Sequence, residues 1–217
     1  MSQTVSFALV DDQPVFLDLA NDRYLRLNQT QERAFLSLLS DRLHQQKHGQ
    51  AIAQLVAGGL LLPVGSHEKP MACAALPLPS SSLLEGPLPG AGLGLIASAL
   101  LQLRRTRGDL RRESLHAVIE RLRHKKSRGF GLDADAARLL AIVAAFERTK
   151  LYLSSYRQCL PRSLAMAMHL AHAGISADLV IGVATKPFRA HCWVQHADIV
   201  LNDRLERVRN FTPILVA

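Results

Sequence analysis

The stretch from Arg157 to Asp203 sets the strongest limits on what this chain can be. It opens RQCLPRSLAMAMHLAHAG, in which Leu160, Leu164, Ala167, Met168 and Ala171 recur at three- and four-residue spacing. That period predicts a helix with one apolar face. Pro161 suits the first turn, where a missing N–H costs nothing, and Gly174 suits the far end. Cys159 then stands at the helix start. Unpaired N–H groups and the helix dipole favour a thiolate there, and Arg157 and Arg162 add positive charge. The competing reading is a buried structural cysteine.

The residues after the helix raise the first reading above the second. Ala177–Val183, Ala190–Gln195 and Ile199–Asn202 read as three short strands, the first two separated by Lys186-Pro187. With His196-Ala197-Asp198 as a hairpin loop, Gln195 faces Ile199, Trp193 faces Leu201 and His191 faces Asp203. Directly opposed side chains lie about 5 Å apart on one sheet face. A two-residue loop would shift the register and favour Asn202 or Arg204, and Asn202 stays as the alternative orienting group. Alone, His191 is an ordinary strand histidine and Asp203 an ordinary turn residue. Together they supply a thiol nucleophile, an imidazole base and a carboxylate that orients the base.

The chain before this stretch divides by composition. Residues 1–65 contain strand-like runs at Val5–Val10, Val15–Leu19 and Tyr24–Leu27, with turn residues Asp11 to Pro14 and Asn21-Asp22 between them. Asn28 or Thr30 can cap a helix to about Leu39, a second helix covers Gln46–Ala57, and Leu60–Val64 can return as a strand. The pattern is winged-helix-like. Five basic residues (Arg23, Arg26, Arg33, Arg42, Lys47) stand against six acidic ones (Asp11, Asp12, Asp18, Asp22, Glu32, Asp41), so no basic face for nucleic acid is expected. A near-neutral module with an open strand edge suits a peptide added as an extra strand. His44 and His48 read as solvent-facing.

Residues 66–90 hold five of the ten prolines and read as a linker or irregular crossing. Helical periodicity resumes at Leu93–Leu103, Leu110–Leu122 and Ala134–Leu151. The stretch 104–128 carries ten Lys/Arg against three Asp/Glu, nearly all of the net charge of +8. It is a solvated face or a dock for an acidic partner. No apolar run is long enough for a transmembrane helix, and no signal peptide is seen. Cys73, Cys159 and Cys192 form no disulfide framework, which fits a cytoplasmic location. A zinc site from Cys159, His169, His172, His191 and Cys192 is disfavoured, because strand alternation sends His191 and Cys192 to opposite faces. No metal is assigned, and Cys73 is given no role.

Four motifs in order, CLPRSLAMAMHLAHAG, ADLVIGV, PFRAHCWVQ and VLND, closely resemble the B proteins of lasso-peptide biosynthesis. The first 65 residues look like the small leader-recognition module of such systems, which is similar to PqqD. The resemblance implies an α+β chain: a winged-helix-like (PqqD-like) module at 1–65, a linker at 66–90, and at 91–217 a transglutaminase/papain-like domain with a helical lobe and a small antiparallel sheet. It implies a cysteine peptidase that removes the leader of a ribosomally made precursor. Cys159 is then the nucleophile, His191 the base and Asp203 the orienting acid. The Cys159 N–H and Gln158 would stabilise the oxyanion. The leader would lie along Tyr24, Leu25, Arg26 and Leu27. No cofactor is expected in the chain itself. The implied partner is a cyclase similar to asparagine synthetase, which uses ATP to close the core into a macrolactam. Gln195 and His196-Ala197 depart from the Glu and Gly that family members often carry. Two alternatives stand beside this: acyl transfer to an amine on the same triad, and a non-catalytic chaperone that delivers precursor to the cyclase.

Overall fold

The computed structural model describes residues 4–40, 45–62, 72–73, 76–128, 136–151 and 158–217. The N-terminal part opens with β1 (Val5–Val10), β2 (Gln13–Asp18) and β3 (Arg23–Arg26), an antiparallel meander in that order. Asp11 and Asp12, with φ of 50° and 61°, close a two-residue turn between Val10 and Gln13. Short polar side chains tolerate that left-handed backbone, which tightens the turn relative to the Asp11-to-Pro14 loop expected. β2 therefore starts before Pro14. The proline is accommodated because pairing with β3 begins only at Val15, opposite Arg26.

Asn28 starts α1 (Gln29–Leu39) with a reciprocal cap. Its Oδ1 accepts the Gln31 N–H at 2.9 Å, and Gln31 Oε1 accepts the Asn28 N–H at 3.3 Å. After α2 (Gln45–Ala57), Leu60 and Leu61 donate their N–H groups back to the Leu55 carbonyl. Leu60–Leu62 is thus a helix end and not the strand expected over Leu60–Val64, whose last two residues lie outside those described. Phe7, Phe16 and Phe35 stack and cross at 5.0 to 5.7 Å, and with Val5, Leu55, Leu60 and Leu61 they make a local core.

The second part is built on α3 (Leu93–Arg112), α4 (Leu115–Arg128), α5 (Ala136–Arg148) and α6 (Cys159–His172). The single apolar face expected of α6 is a correction: Arg162 to Met168 and Leu170 are all buried, while Leu160 and Ala171 are only partly so. The helix is enclosed by α3, α4, α5 and the sheet, and its alanines allow the close approach.

That sheet has the order β4-β7-β6-β5-β8, from β4 (Ser81–Ser82), β5 (Asp178–Thr185), β6 (Phe188–His196), β7 (Ile199–Val200) and β8 (Thr212–Val216), with a one-turn α7 (Leu205–Val208) before β8. β4 is parallel to β7 and the other pairs are antiparallel. One face packs on α6, and the other buries Val180, Trp193, Val200 and Val208. β1 and β2 pack on β8, so Ala8, Val10, Val15 and Leu17 share the main core.

The proline-rich crossing is fastened to this sheet. Gln195 Nε2 donates to the Pro77 carbonyl at 2.8 Å, and Ser80 N donates to the Asp198 carbonyl at 2.8 Å. Ser82 Oγ donates to the Asp203 carbonyl at 2.5 Å, and Leu205 N donates to Glu85 at 3.0 Å. Among the described residues there are seven α-helices and two sheets, and no helix is long and apolar enough to cross a membrane.

Candidate active site

The geometry of the site arises from the shortness of β7. Observed pairs are Gln195 with Val200 and His196 with Ile199, around a two-residue turn in which Ala197 has φ of 52°. The expected three-residue loop, with Gln195 facing Ile199, is off by one residue. In a continued ladder this register would set His191 opposite Arg204. The ladder makes one more bond, from Leu201 N to the Val194 carbonyl at 2.9 Å, and then stops: β7 ends at Val200 and the chain bends over 201–203. Asn202 turns inward and Asp203 swings toward β6. His191 Nε2 then lies 2.6 Å from Asp203 Oδ2.

Where β7 stops, the edge of β6 is taken up by side chains. Asn202 Oδ1 accepts the Val194 N–H at 2.8 Å, and Ser163 Oγ donates to the Cys192 carbonyl at 2.8 Å. The Cys192 N–H is directed to the Cys159 thiol. The N-terminus of α6 thus abuts the strand that carries His191. With Nε2 given to Asp203, Nδ1 is the ring nitrogen that remains for the thiol.

The charges in this cluster reinforce one another. Burial alone would raise the Cys159 pKa, but the hydrogen bond and charge of His191 and the N–H groups of Leu160 and Cys192 outweigh it and hold the thiol below its ordinary range. Burial alone would lower the His191 pKa, yet its hydrogen bonds to Asp203 and Cys159 and their charges push it up to about 9. Burial opposes ionisation of Asp203 as well. His191, the Arg204 N–H and the Arg207 charge nevertheless hold this carboxyl low. Each shift has the sign that favours the charged form: thiolate at Cys159, imidazolium at His191 and carboxylate at Asp203.

Two rings flank the imidazole: Trp193 stacks at 6.3 Å and Phe211 lies tilted at 5.2 Å. Gly182, opposite His191 in β5, makes room for both. A Cβ there would come within 2.7 Å of the Trp193 ring and 2.9 Å of Phe211 Cβ.

Of the other residues singled out from the sequence, Gln158 is the N-cap of α6, with no side-chain cap bond, and its Oε1 accepts from Arg107 of α3. Since guanidinium only donates, the amide nitrogen is left as Gln158's outward donor. Arg162 points away from the thiol, to the Phe146 carbonyl at 3.0 Å and Thr149 Oγ1 at 3.1 Å. Its expected charge contribution is thereby directed to the end of α5. Arg157 lies outside the described residues, as does His44. Cys192 is buried on the α6 side of the sheet, and burial pushes its thiol far up. Burial also pushes the Cys73 thiol up, to about 11. His169 packs on Phe146 at 5.6 Å and His172 meets Lys125 at 2.5 Å. Among the described residues no group of three or more His, Cys, Asp or Glu is arranged to hold a metal.

Tyr24 to Leu27 run along and just past β3, the outer strand of its sheet. Alternation sends Leu25 and Leu27 into the N-terminal core. Tyr24 and Arg26 go the other way, to the β5–β6 hairpin. Tyr24 meets the Phe188 ring edge-on at 5.4 Å, and Arg26 covers the same ring at 5.9 Å and donates to the Thr185 carbonyl at 3.3 Å. Burial first, then the charges of Cys192, Asp22 and Cys159, raise the Tyr24 phenol above its ordinary range, so this side chain is in electrostatic reach of the thiol. All four side chains are engaged, and among the described residues no strand pairs with the outer edge of β3.

Sequence reasoning missed Ser163, Arg107 and Phe211. Ser163 was legible as the polar residue one helical turn after Cys159, but its partners come from distant segments. The family model of the transglutaminase-like superfamily matches residues 100–216. No curated protein and no solved structure matches the chain.

Proposed function

The chain belongs to the transglutaminase-like superfamily, and from that premise we propose that it is a cysteine peptidase that removes the leader of a ribosomally made, lasso-type precursor. The observation that carries the reading is the thiol of Cys159 at a helix start, in hydrogen-bond contact with an imidazole that Asp203 holds at 2.6 Å. The Cys159 thiolate attacks the scissile carbonyl carbon. Imidazolium His191 gives its proton to the leaving amine as the C–N bond breaks, leaving a thioester. Neutral His191 then takes a proton from water, whose oxygen attacks the thioester and expels the thiolate. The Cys159 N–H and the Gln158 amide, oriented by Arg107, are the donors for the oxyanion.

The leader adds as a strand to the outer edge of β3 within a PqqD-like module of residues 1–65, which is joined by residues 66–90 to a peptidase domain of residues 91–217. Holding the leader raises the effective concentration of the cut site near Cys159. The released core passes to an ATP-using cyclase similar to asparagine synthetase. The test is mass spectrometry of a leader–core precursor incubated with the wild type and with Cys159→Ala, with and without the cyclase. A leader fragment with a free carboxylate, from the wild type only, is the expected result. Equal cleavage by both proteins removes the reading. The superfamily match also favours a second reading, acyl transfer to an amine on the same three residues; an amide-linked product in place of the free carboxylate would select it.

A further inference from the structure

The members of the reacting set come from three separate segments: the start of α6, the middle of β6 and the bend after β7. One buried hydroxyl touches all three. Ser163, 1 % exposed, lies one helical turn after Cys159. It donates to the carbonyl of Cys192, next to His191, at 2.8 Å and accepts from Asn202 Nδ2, next to Asp203, at 2.8 Å. Asn202 in turn accepts the Val194 N–H at 2.8 Å. Every donor and acceptor in this chain of bonds is used once and in the right direction. The Cys192 peptide has its C=O on Ser163 and its N–H on the Cys159 thiol.

We infer that Ser163 and Asn202 are positioning residues that lock the helix bearing Cys159, the strand bearing His191 and the bend bearing Asp203 to one another. Their bonds replace the ladder that β7 would have made had it run on past Val200. They touch none of the reacting atoms, and they act by fixing the Cys192 N–H on the thiol and the Asp203 carboxylate on the imidazole. The inference rests on the reading of Cys159, His191 and Asp203 as the reacting set. The titratable groups coupled to the thiol are His191 and Cys192 from β6, with Asp203 behind His191, and Tyr24 from β3. Substitutions at Ser163 and Asn202 change none of these residues, only how they are held.

The test is the pH dependence of Cys159 alkylation by iodoacetamide, with labelled peptides mapped by mass spectrometry to separate Cys159 from Cys73 and Cys192. The wild-type midpoint is expected below the ordinary thiol range. Ser163→Ala should raise it by a unit or more, slowing alkylation about tenfold at a pH below both midpoints, with a fall in precursor turnover of about 100-fold. Ser163→Thr, which keeps the hydroxyl, should restore the wild-type midpoint. Asn202→Ala, at a less buried position, should shift it in the same direction and decides the matter if Ser163→Ala does not fold. A folded Ser163→Ala, or failing that a folded Asn202→Ala, that titrates as the wild type does would overturn the inference. So would a folded Ser163→Thr shifted as far as Ser163→Ala, since packing alone would then explain both. Because the readout is the thiol itself, a wild type that shows the low midpoint but cuts no precursor counts against the peptidase reading alone.

Discussion

His191 Nε2 and Asp203 Oδ2 meet at 2.6 Å although the two residues are not partners in any strand pair. Their contact depends on a bend after Val200, whose backbone is held by Ser82 Oγ on the Asp203 main-chain carbonyl, while the carboxylate accepts the Arg204 N–H. Asp203→Asn keeps the shape and removes the charge. His191 should then titrate well below about 9, read by NMR of the ring protons, and kcat should fall on the order of 10²–10⁴-fold.

A thiolate–imidazolium pair has two limits in pH. The pair loses its charge on the acid side when the thiolate is protonated, and on the alkaline side when the imidazolium releases its proton near pH 9. The profile of kcat/KM against pH should be bell-shaped, with apparent values that belong to the pair. A profile that rises with a single midpoint in the ordinary thiol range would contradict the ion pair.

The same shifts act on stability. The folded-state pKa of His191 lies above its ordinary 6.5, so its contribution is full below that pH and disappears as pH rises through about 9. Asp203 is depressed below its ordinary 3.8, so its contribution is present above that value and disappears as pH falls through its lower folded-state pKa. Cys159, depressed below its ordinary 9.0, has the opposite slope: its contribution is present above that value and is lost as pH falls, so it offsets the His191 decline in the alkaline range. The urea midpoint of the wild type should therefore decline at the acid end, and Cys159→Ala should uncover an alkaline decline that the wild type lacks.

Gly182→Ala places a methyl group 2.7 Å from the Trp193 ring and 2.9 Å from Phe211 Cβ. Backbone and two rings must yield, which should destabilise the fold by about 1–3 kcal/mol. Because those rings flank His191, activity should fall further than the melting curve explains. Parallel measurement of the urea midpoint and of turnover separates the two effects.

Gln195 is 1 % exposed and its amide nitrogen serves two carbonyls, Pro77 at 2.8 Å and Ala197 at 2.7 Å. Gln195→Leu fills the space but leaves both acceptors without this donor. A loss of about 1–3 kcal/mol is expected in chemical denaturation.

Much of this was legible in the chain itself. Alternation and turn residues gave the meander of β1 to β3, and three-to-four spacing gave α1 to α6, although α3 runs on from Leu103 to Arg112 and α4 spans Leu115–Arg128 where Leu110–Leu122 was expected. The juxtaposition of His191 and Asp203 was expected for a reason the structure corrects. The three-residue loop is a two-residue one, and the carboxylate arrives by a bend, which alternation cannot encode. The burial of α6 all round was missed because the three-to-four spacing marks one apolar face and leaves the polar Arg162 and Ser163 off it. Inside, Arg162 Nη2 donates to Phe146 and Thr149 while its Nη1 is left without a partner among the described residues, and Ser163 is bonded to Cys192 and Asn202. β8 was missed because its partner, β5, lies far back in the sequence, and Thr212–Val216 carries no local sign of which edge it will join.

The attachment of residues 76–85 to the sheet bears on how this protein can be dissected. A fragment starting at residue 91 would keep Cys159, His191 and Asp203 yet strip Pro77, Ser80, Ser82 and Glu85 from the loops they fasten, and expose β7 as a raw edge. A fragment starting at residue 76 would carry its own edge strand. Loss of turnover in the shorter piece would therefore report a loosened carboxylate as readily as an absent recognition module; the longer piece removes that ambiguity, though it too uncovers the β8 face on which β1 and β2 pack.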